Sequence, residues 1–377
     1  MGKVLLDDVA VEHKETCKGS KDSYPIVGLE HLIPEETTLT VWDEGSENTF
    51  TKMFRKGNVL FGRRRAYLKK AAVAPFDGIC SGDITVIEAK PDRILPELLP
   101  FIIQNDALFD FAVGKSAGSL SPRVKWEHLK NYEFELPDRD KQRELAALLW
   151  AMDETKKSYQ KLIAATDELV KSQFIAQFGL PDNNTMGFRL GTIGDVIKDI
   201  HYGTSAKASR DGQYTYIRMN NITYDGKLDL SDTKRITIPD ADVESFIVRQ
   251  GDVLFNRTNS RDLVGKTCVF DQSEPMIIAG YIIRLRMNGL VLPEYLSLFM
   301  NTRYAKKLLL GMAKGAVGQA NINAKELQDI AIVIPPIAVQ RDFLGLIQQS
   351  DKSKFELEQA LAELIATYKR IIAENLG

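Results

Sequence analysis

The chain has 377 residues, of which 44% are hydrophobic and 27% are charged, as in an ordinary globular protein with room for two domains. It carries 49 lysines and arginines against 51 acidic residues, and the resulting net charge of −2 excludes a basic surface over the whole molecule. Any contact with a nucleic acid therefore has to come from local clusters of cations.

The cysteines and histidines indicate no structural crosslink. Cys17, Cys80 and Cys268 are scattered without a C-x-x-C spacing, and the four histidines show no ligand spacing. We expect no disulfide framework, no metal site and no cofactor, in a protein of the reducing cytoplasm. No run of about eighteen apolar residues and no signal-peptide core occurs, so we expect no membrane association.

A short strand is encoded twice. Residues 57–65 read GNVLFGRRR and residues 251–259 read GDVLFNRTN, which predicts a buried strand followed each time by a polar loop containing arginine. Farther along, Gln142-Arg143 recurs as Gln340-Arg341, at an offset of 198 residues (340 − 142). These matches predict a tandem duplication whose period is too long for a solenoid repeat and gives two equivalent halves.

Both halves share one order of elements. Each begins with short β-branched runs broken by Gly, Pro, Asn and Asp, which predict strands and turns. A helical stretch follows, at 96–113 in the first half and 293–311 in the second. A loop rich in small and polar residues then leads to a short strand that ends at Pro137 or Pro335.

The final stretch of each half, 138–180 and 336–377, predicts a long α-helix of about 57 Å. Apolar residues recur at alternating spacings of four and three, which predicts a seam for helix pairing. The seam residues are Leu145, Leu149, Met152, Tyr159, Ile163 and Val170 in the first helix and Phe343, Ile347, Leu357, Leu361, Leu364, Tyr368 and Ile371 in the second. Both seams are interrupted by a lysine, Lys156 or Lys354, and we expect the two lysines to lie near each other across an antiparallel pair. The alternative is that each helix packs on a local core.

We therefore predict an α+β fold with two pseudo-repeated globular α/β domains, 1–137 and 181–335. They are separated by the two long helices, which are expected to be antiparallel and to form a coiled-coil-like pair.

Catalytic motifs are missing. Gly265-Lys266-Thr267 resembles the end of a phosphate-binding loop, but Ser260 stands where that loop requires glycine. The acids and lysine of 137–141 resemble a nuclease site, yet acids are also favoured in the first turn of a helix. Because the second half has no acids at that place, helix initiation is the better interpretation. We expect no enzymatic activity.

The loops after the repeated strands supply most of the candidate functional side chains. Arginine and asparagine can bond guanine and adenine edges with two hydrogen bonds, and hydroxyl groups can bond phosphate. The candidates in the first half are Arg63, Arg64, Arg65, Lys69, Lys70, Lys115, Ser116, Arg123 and Lys125. The candidates in the second half are Tyr202, Thr204, Ser205, Lys207, Asn256, Arg257, Thr258, Asn259, Arg261, Lys314, Gln319 and Asn321. Alternatively, these loops are ordinary solvated turns.

These features together resemble the specificity (S) subunits of type I restriction–modification systems. The resemblance covers nearly the whole chain and depends on the G-[ND]-V-L-F strand with its arginine loop. It also depends on Tyr202-Gly203-Thr204-Ser205 and on the Leu-Pro or Ile-Pro that precedes Gln-Arg at the head of each long helix. The first half departs from the pattern because it lacks a clear counterpart of residues 202–207.

The resemblance implies two target-recognition domains, each reading one half of a bipartite site in double-stranded DNA. It further implies that the helical pair sets the spacing and docks methyltransferase (M) subunits, two per chain, through which restriction (R) subunits join. Two other hypotheses stay open. One is a DNA-acting enzyme fragment, a nuclease or methyltransferase fusion, and the other is a coiled-coil scaffold without affinity for DNA.

Overall fold

The computed structural model describes residues 2–21, 24–44, 49–313 and 320–377. Over these ranges the protein is α+β, and it divides into two compact units. Unit 1 comprises Met1–Leu162 and Leu357–Gly377, and unit 2 comprises Ile163–Glu356. In the part of the chain that is described, no helix is long and apolar enough to cross a membrane.

The elements of unit 1 come first along the chain. Its strands are β1 (Gly2–Leu5), β2 (Ala10–Glu12), β3 (Ile26–Val27), β4 (Lys52–Phe54), β5 (Val59–Gly62), β6 (Ala71–Val73), β7 (Gly78–Cys80), β8 (Ile84–Ala89) and β9 (Glu133–Leu136). Its short helices are α1 (Leu6–Val9), α2 (Leu99–Ile103), α3 (Asp106–Gly114) and α4 (Trp126–Leu129), with 3-10 turns at Ala66–Leu68 and Pro96–Leu98. The long helix α5 (Arg139–Phe178) runs from unit 1 into unit 2.

Unit 2 has the strands β10 (Arg189–Thr192), β11 (Ile197–Tyr202), β12 (Tyr214–Ile217), β13 (Lys234–Ile236), β14 (Ile247–Val248), β15 (Val253–Asn256), β16 (Thr258–Asn259), β17 (Thr267–Val269), β18 (Met276–Ile278), β19 (Ile282–Met287), β20 (Ala320–Asn321) and β21 (Ala331–Ile334). Its helices are α6 (Ile193–Val196), α7 (Asp240–Phe246), α8 (Pro293–Met300), α9 (Arg303–Met312) and α10 (Ala324–Gln328), with a 3-10 turn at Met219–Asn221. The second long helix, α11 (Ile337–Leu376), begins in unit 2 and ends in unit 1.

Strands pair in the same order in both units. The four-stranded sheet runs β2-β8-β5-β6 in unit 1 and β11-β19-β15-β17 in unit 2. A second sheet runs β3-β7-β4 in unit 1, and in unit 2 it runs β13-β12-β18-β14 with β13 added at its edge. The pair β1-β9 corresponds to β10-β21, and unit 2 has a further pair, β16-β20.

The repeated G-[ND]-V-L-F motif forms a turn and then a buried strand. Gly57 and Gly251 adopt φ of 90° and 87°, the left-handed region that favours glycine. The next residue closes the turn, because Asn58 accepts a hydrogen bond from the backbone N–H of Arg55 and Asp252 accepts one from Arg249. Each apolar residue of the strands that follow is buried, because the sheet is covered on both faces.

The predicted helical stretches 96–113 and 293–311 are each broken in two. Asn105 accepts a side-chain hydrogen bond from the N–H of Ala107 and begins α3, and Thr302 accepts one from Ala305 and begins α9. Asparagine and threonine are favoured N-caps because they satisfy a free N–H of the first turn. The break therefore recurs at the same place in both units.

The glutamine at the head of each long helix is a buried clamp. Gln142 accepts the N–H of Leu95 at 2.8 Å and donates to the carbonyl of Pro137. Gln340 accepts the N–H of Leu292 at 2.8 Å and donates in the same way to the carbonyl of Pro335. Each side chain thus ties the helix start to the segment preceding α2 or α8, which explains the repeated Gln.

The two long helices have 40 residues each, or about 60 Å, close to the expected length of about 57 Å. Every seam residue predicted from the sequence is buried or half-buried. In unit 1, Leu145 and Leu149 of α5 share a core with Ile372 and Leu376 of α11. In unit 2, Phe174 and Phe178 near the end of α5 pack with Phe343 near the start of α11.

The two seam lysines have different partners. Lys354 is 5% exposed, and its Nζ lies 2.5 Å from the carboxylate of Asp167 within unit 2. Lys156 donates to the carbonyl of Glu35 and lies 3.6 Å from Asp153 within unit 1. Their mutual proximity, which concerns both units, stays a prediction.

Candidate nucleic-acid interface

The first arginine loop, residues 62–70, is held to two other segments of unit 1 by backbone hydrogen bonds. The N–H of Arg63 donates to the carbonyl of Asp83 at 3.0 Å, and the carbonyl of Arg63 accepts from Val124 at 2.9 Å. Arg64 forms a β-bridge with Arg123. The loop is therefore fixed beside residues 115–123, where further candidate side chains lie.

The second arginine loop, residues 256–262, repeats this arrangement in unit 2. The N–H of Arg257 donates to the carbonyl of Tyr281 at 2.9 Å, and its carbonyl accepts from Ile322 at 2.9 Å. Thr258 pairs with Asn321 as Arg64 pairs with Arg123 in unit 1. Arg63 and Arg257 thus occupy the same backbone position in the two units.

Two predicted cations of unit 1, Arg64 and Arg123, share one carboxylate as an ion-pair partner. Asp83 accepts from Nε of Arg123 at 2.7 Å and from Nη1 of Arg64 at 3.4 Å, and Arg64 also donates to Ser121. The Arg123 guanidinium, with the charge of Arg64, holds the pKa of Asp83 below its ordinary value. Sequence reasoning did not identify Asp83. Aligning the two halves at the offset of 198 would have drawn attention to this position, because it pairs Asp83 with Tyr281 (281 − 83). Tyr281 is exposed and lies in the turn that faces the second loop.

The remaining cations of the first loop fall into two groups. Lys69 pairs with Asp106 at 2.6 Å, and Lys70 donates to the carbonyl of Leu29. Arg63 and Arg65 make no side-chain hydrogen bond or ion pair with any described residue. Arg65 is exposed and has φ of 54°, and Lys69 has φ of 50°. Left-handed backbone in two non-glycine residues is costly and is common at functional sites.

The structure differs from the sequence expectation at Asn256. This residue is 0% exposed, its amide donates to the carbonyls of Thr258 and Tyr281, and its oxygen accepts from Asn259 at 2.9 Å. A side chain with its donors and acceptor engaged has none free for a base edge. Thr258 is also buried and donates to the side chain of Asn321 at 2.9 Å. Asn256, Thr258, Asn259 and Asn321 therefore stabilise the conformation of the second loop through their side-chain hydrogen bonds.

Arg257 is held by an aromatic ring. Its guanidinium carbon lies 4.8 Å from the ring centroid of Tyr202, a favourable cation–π distance. The hydroxyl of Tyr202 in turn accepts the N–H of Ala324 at 2.8 Å, which fixes the ring. Arg261, by contrast, is exposed and has no side-chain partner among the described residues.

The Tyr-Gly-Thr-Ser segment is part of the same surface. A Cβ on Gly203 would lie 2.3 Å from the carbonyl oxygens of Ile278 and Ala279, so only glycine fits there. Thr204 is buried, and its carbonyl accepts from the hydroxyl of Tyr216 at 3.0 Å. Ser205 and Lys207 are exposed. In this segment Gly203 and Thr204 are therefore packed against the protein, whereas Ser205 and Lys207 face solvent.

The remaining predicted residues lie in the loop that follows α3 or in its counterpart in unit 2. Lys115 lies over the ring of Phe111 at 5.6 Å, and Ser116 donates to the last turn of α3. Lys125 is exposed. Lys314 and Gln319 lie outside the described residues. Over the described ranges, no cluster of His, Cys, Asp and Glu could hold a metal ion.

Known proteins with similar sequences were found for part of the chain. A family model described as the type I restriction modification DNA specificity domain matches residues 184–367. The EcoKI specificity subunit of Escherichia coli (strain K12), a type I restriction enzyme, is 22% identical over 187 residues, which cover 48% of this chain and 40% of that protein. A putative type I restriction enzyme specificity subunit, MjaX of Methanocaldococcus jannaschii, is 26% identical over 42% of this chain and 38% of its own length. The match thus spans about 40% of these relatives.

Solved structures resemble the chain over nearly its full length. One comes from a study of complex assembly and conformational transition of the type I R-M system, with a TM-score of 0.59 and 22% identity over 99% of this chain and 97% of that chain. Another is a type I restriction-modification S subunit from M. genitalium, with a TM-score of 0.52 and 12% identity over 98% and 94%. At such identities the likeness concerns the fold. The chain therefore has the same α+β fold as these structures. The family model covers 184 of the 377 residues (367 − 184 + 1), just under half of the chain, and over this stretch the chain is similar to type I restriction modification DNA specificity domains.

Proposed function

We propose that the chain is the DNA sequence-specificity subunit of a type I restriction–modification complex and has no catalytic role of its own. Domains 1–137 and 181–335 each read one half of a bipartite site in double-stranded DNA. The observation that carries this proposal is the repetition of one arginine at one backbone position, Arg63 and Arg257, in two units with the same strand order. Two similar readers suit two half-sites.

The helices 138–180 and 336–377 are proposed to form an antiparallel pair that holds the two readers apart. Supporting this, α11 ends in the core that contains the start of α5, and α5 ends in the core that contains the start of α11. A helix of 40 residues is about 60 Å long, whereas the DNA helix repeats every 34 Å or so. The pair is therefore long enough to place the readers at separate turns of the duplex.

The partners in this proposal are DNA, methyltransferase subunits at two per chain, and restriction subunits bound through them. Both long helices expose apolar side chains, including Leu148, Leu169 and Phe355, which are accessible for contact with these subunits. Because the chain has a net charge of −2, we expect the basic surface of a partner to add to its affinity for DNA. A cytoplasmic location belongs to the same proposal, and the free thiols of Cys17, Cys80 and Cys268 fit it.

The test is a selection of bound duplexes from a random pool, using the chain in complex with its methyltransferase subunits. We expect enrichment of two short conserved blocks separated by a spacer of constant length. Parallel titration of the chain alone with S-adenosylmethionine should give no binding. Absence of any enriched sequence would contradict the specificity role, and micromolar binding of S-adenosylmethionine to the chain alone would favour an enzyme.

A further inference from the structure

Arg63 in unit 1 and Arg257 in unit 2 are half-buried at the same backbone position, and neither guanidinium has a hydrogen-bond or ion-pair partner among the described residues. Nε of Arg63 and Nε of Arg257 are both buried without a hydrogen bond. Neither side chain forms an ion pair with a described carboxylate, whereas the neighbouring Arg64 and Arg123 share Asp83. Because burying an uncompensated cationic group is costly, its retention in both units points to an external acceptor.

The geometry of these two arginines restricts the acceptor. Since Nε is enclosed by protein, the terminal Nη groups are left to form two parallel hydrogen bonds. The base edge that offers two adjacent acceptors to such a fork is that of guanine, through O6 and N7. A phosphate also accepts two bonds, but a phosphate contact does not require a fixed side chain.

Rigidity favours the base over the phosphate. The guanidinium of Arg257 is held by the ring of Tyr202, and this ring is itself held by the N–H of Ala324. Arg65 and Arg261 are exposed, have no such support and suit phosphate contacts. A guanidinium group held in one plane can discriminate between bases, because the side chain cannot move to bond acceptors that another base places elsewhere.

We propose that Arg63 and Arg257 are equivalent guanine readers, one for each half of the recognised site. The two half-sites would then each contain a guanine read from the major groove by the same side-chain position. This inference rests on the proposed function, because it assumes that each unit binds one half-site.

The experiment uses the complex with methyltransferase subunits and the duplex obtained from the selection. Each guanine is replaced in turn by 7-deazaguanine, which removes the N7 acceptor and leaves base pairing intact. In each half, one replacement should lower the affinity of the wild-type complex measurably, toward the roughly five- to 150-fold that a lost bidentate contact costs. Arg63→Met should remove the sensitivity in one half only, and Arg257→Met should remove it in the other.

Methionine keeps most of the aliphatic stem and removes only the fork, so folding is expected to persist. Matched controls are Arg93→Ala in unit 1 and Arg189→Ala in unit 2, two exposed arginines outside the loops, which should leave both sensitivities unchanged. Sequence-specific binding that is insensitive to every 7-deazaguanine would overturn the inference while leaving the proposed function intact. So would a selected half-site without guanine, or a uniform loss of affinity for all duplexes in the methionine variants, which would mark phosphate contacts. Failure to select any sequence would remove the proposed function itself.

Discussion

The two arginine loops have the same backbone and different side-chain chemistry. Where unit 1 has Gly62 at the end of the repeated strand, unit 2 has Asn256, whose side-chain amide forms hydrogen bonds with Thr258 and Asn259 of the same loop. Where Asp83 of unit 1 faces the loop and pairs with two arginines, unit 2 has the exposed Tyr281. The framework is thus specified by backbone hydrogen bonds, and side chains vary on it without altering the arginine that both loops retain.

The cores of the two units differ in the same manner. The strand position occupied by the buried Val86 in β8 is occupied in β19 by Arg284, which is 1% exposed and bonded to Asp199 at 2.6 Å. The fourth residue of α3 is Phe109, which stacks on another phenylalanine, and the fourth residue of α9 is Lys306. One topology therefore accepts a charge in place of an apolar side chain when partners are supplied.

Arg284→Ala should give the largest effect on stability. It removes the buried partner of Asp199 and of the carbonyl of Ile247. Breaking a buried ion pair costs up to about 3–5 kcal/mol, and the contacts of Asp199 with His201 and Arg286 that remain offset part of this loss. We expect the loss in the free energy of unfolding of unit 2, measured by urea titration. Val86→Ala, at the corresponding place in unit 1, should cost only the roughly 1–2 kcal/mol of a small cavity. Equal effects at the two positions would show that the buried pair adds nothing.

The sequence predicts the strands and helices better than the side-chain contacts in the two arginine loops. The repeated strand and the long helices are foreseeable because their signals are local: a turn glycine, an apolar run, a seam of period 3.5. The helix breaks at Asn105 and Thr302 were also encoded, since both are good N-caps. The burial of Asn256 was not foreseeable, because it depends on the carbonyl of Tyr281, which is 25 residues away. The pairing of Arg64 with Asp83 is equally non-local.

Asn256→Ala should be the next largest change. It removes the bonds to two backbone carbonyls and leaves the amide of Asn259 without its acceptor, for a loss of about 1–3 kcal/mol. Because the second loop loses its internal support, recognition of one half-site should weaken while the other is unaffected. The measurements are urea unfolding and binding to duplexes altered in either half. Gly62→Ala is the counterpart, in which an added Cβ would lie 2.8 Å from Leu29, so that the first loop is strained instead. A change in both half-sites from either variant would contradict independent readers.

Lys306→Met tests the cost of the charge in α9. Burial, together with the charges of Lys171 and Lys266, lowers the pKa of Lys306 to about 8. Since the unfolded state binds more protons between pH 8 and the ordinary value of 10.5, the stability of the wild type should rise with pH over this window. The methionine variant should lack this rise and be more stable at pH 7 by roughly 1–2 kcal/mol, allowing for partial exposure of the lysine. Thermal unfolding at pH 7, 8.5 and 10 is the measurement, and parallel curves for the two proteins would contradict a lowered pKa.

Asp83→Ala should have the smallest effect on stability and a distinct effect on DNA binding. It frees the guanidiniums of Arg64 and Arg123, so unit 1 gains two cations that can bond phosphate. Each added phosphate contact makes the salt dependence of binding steeper by about 0.9 in log–log slope. We therefore expect non-specific duplexes to bind more tightly at low salt, with a slope steeper by about one to two, while the preference for the recognised site falls. Asp77→Ala is the matched control, because it removes one acidic charge near the start of the same strand, away from the loop, while Arg55 keeps its ion pair with Glu15. If the two variants steepened the slope equally, only overall charge would matter. If Asp83→Ala left the slope unchanged, Arg64 and Arg123 would lie away from the DNA, and Arg63 would be the first loop's main contact.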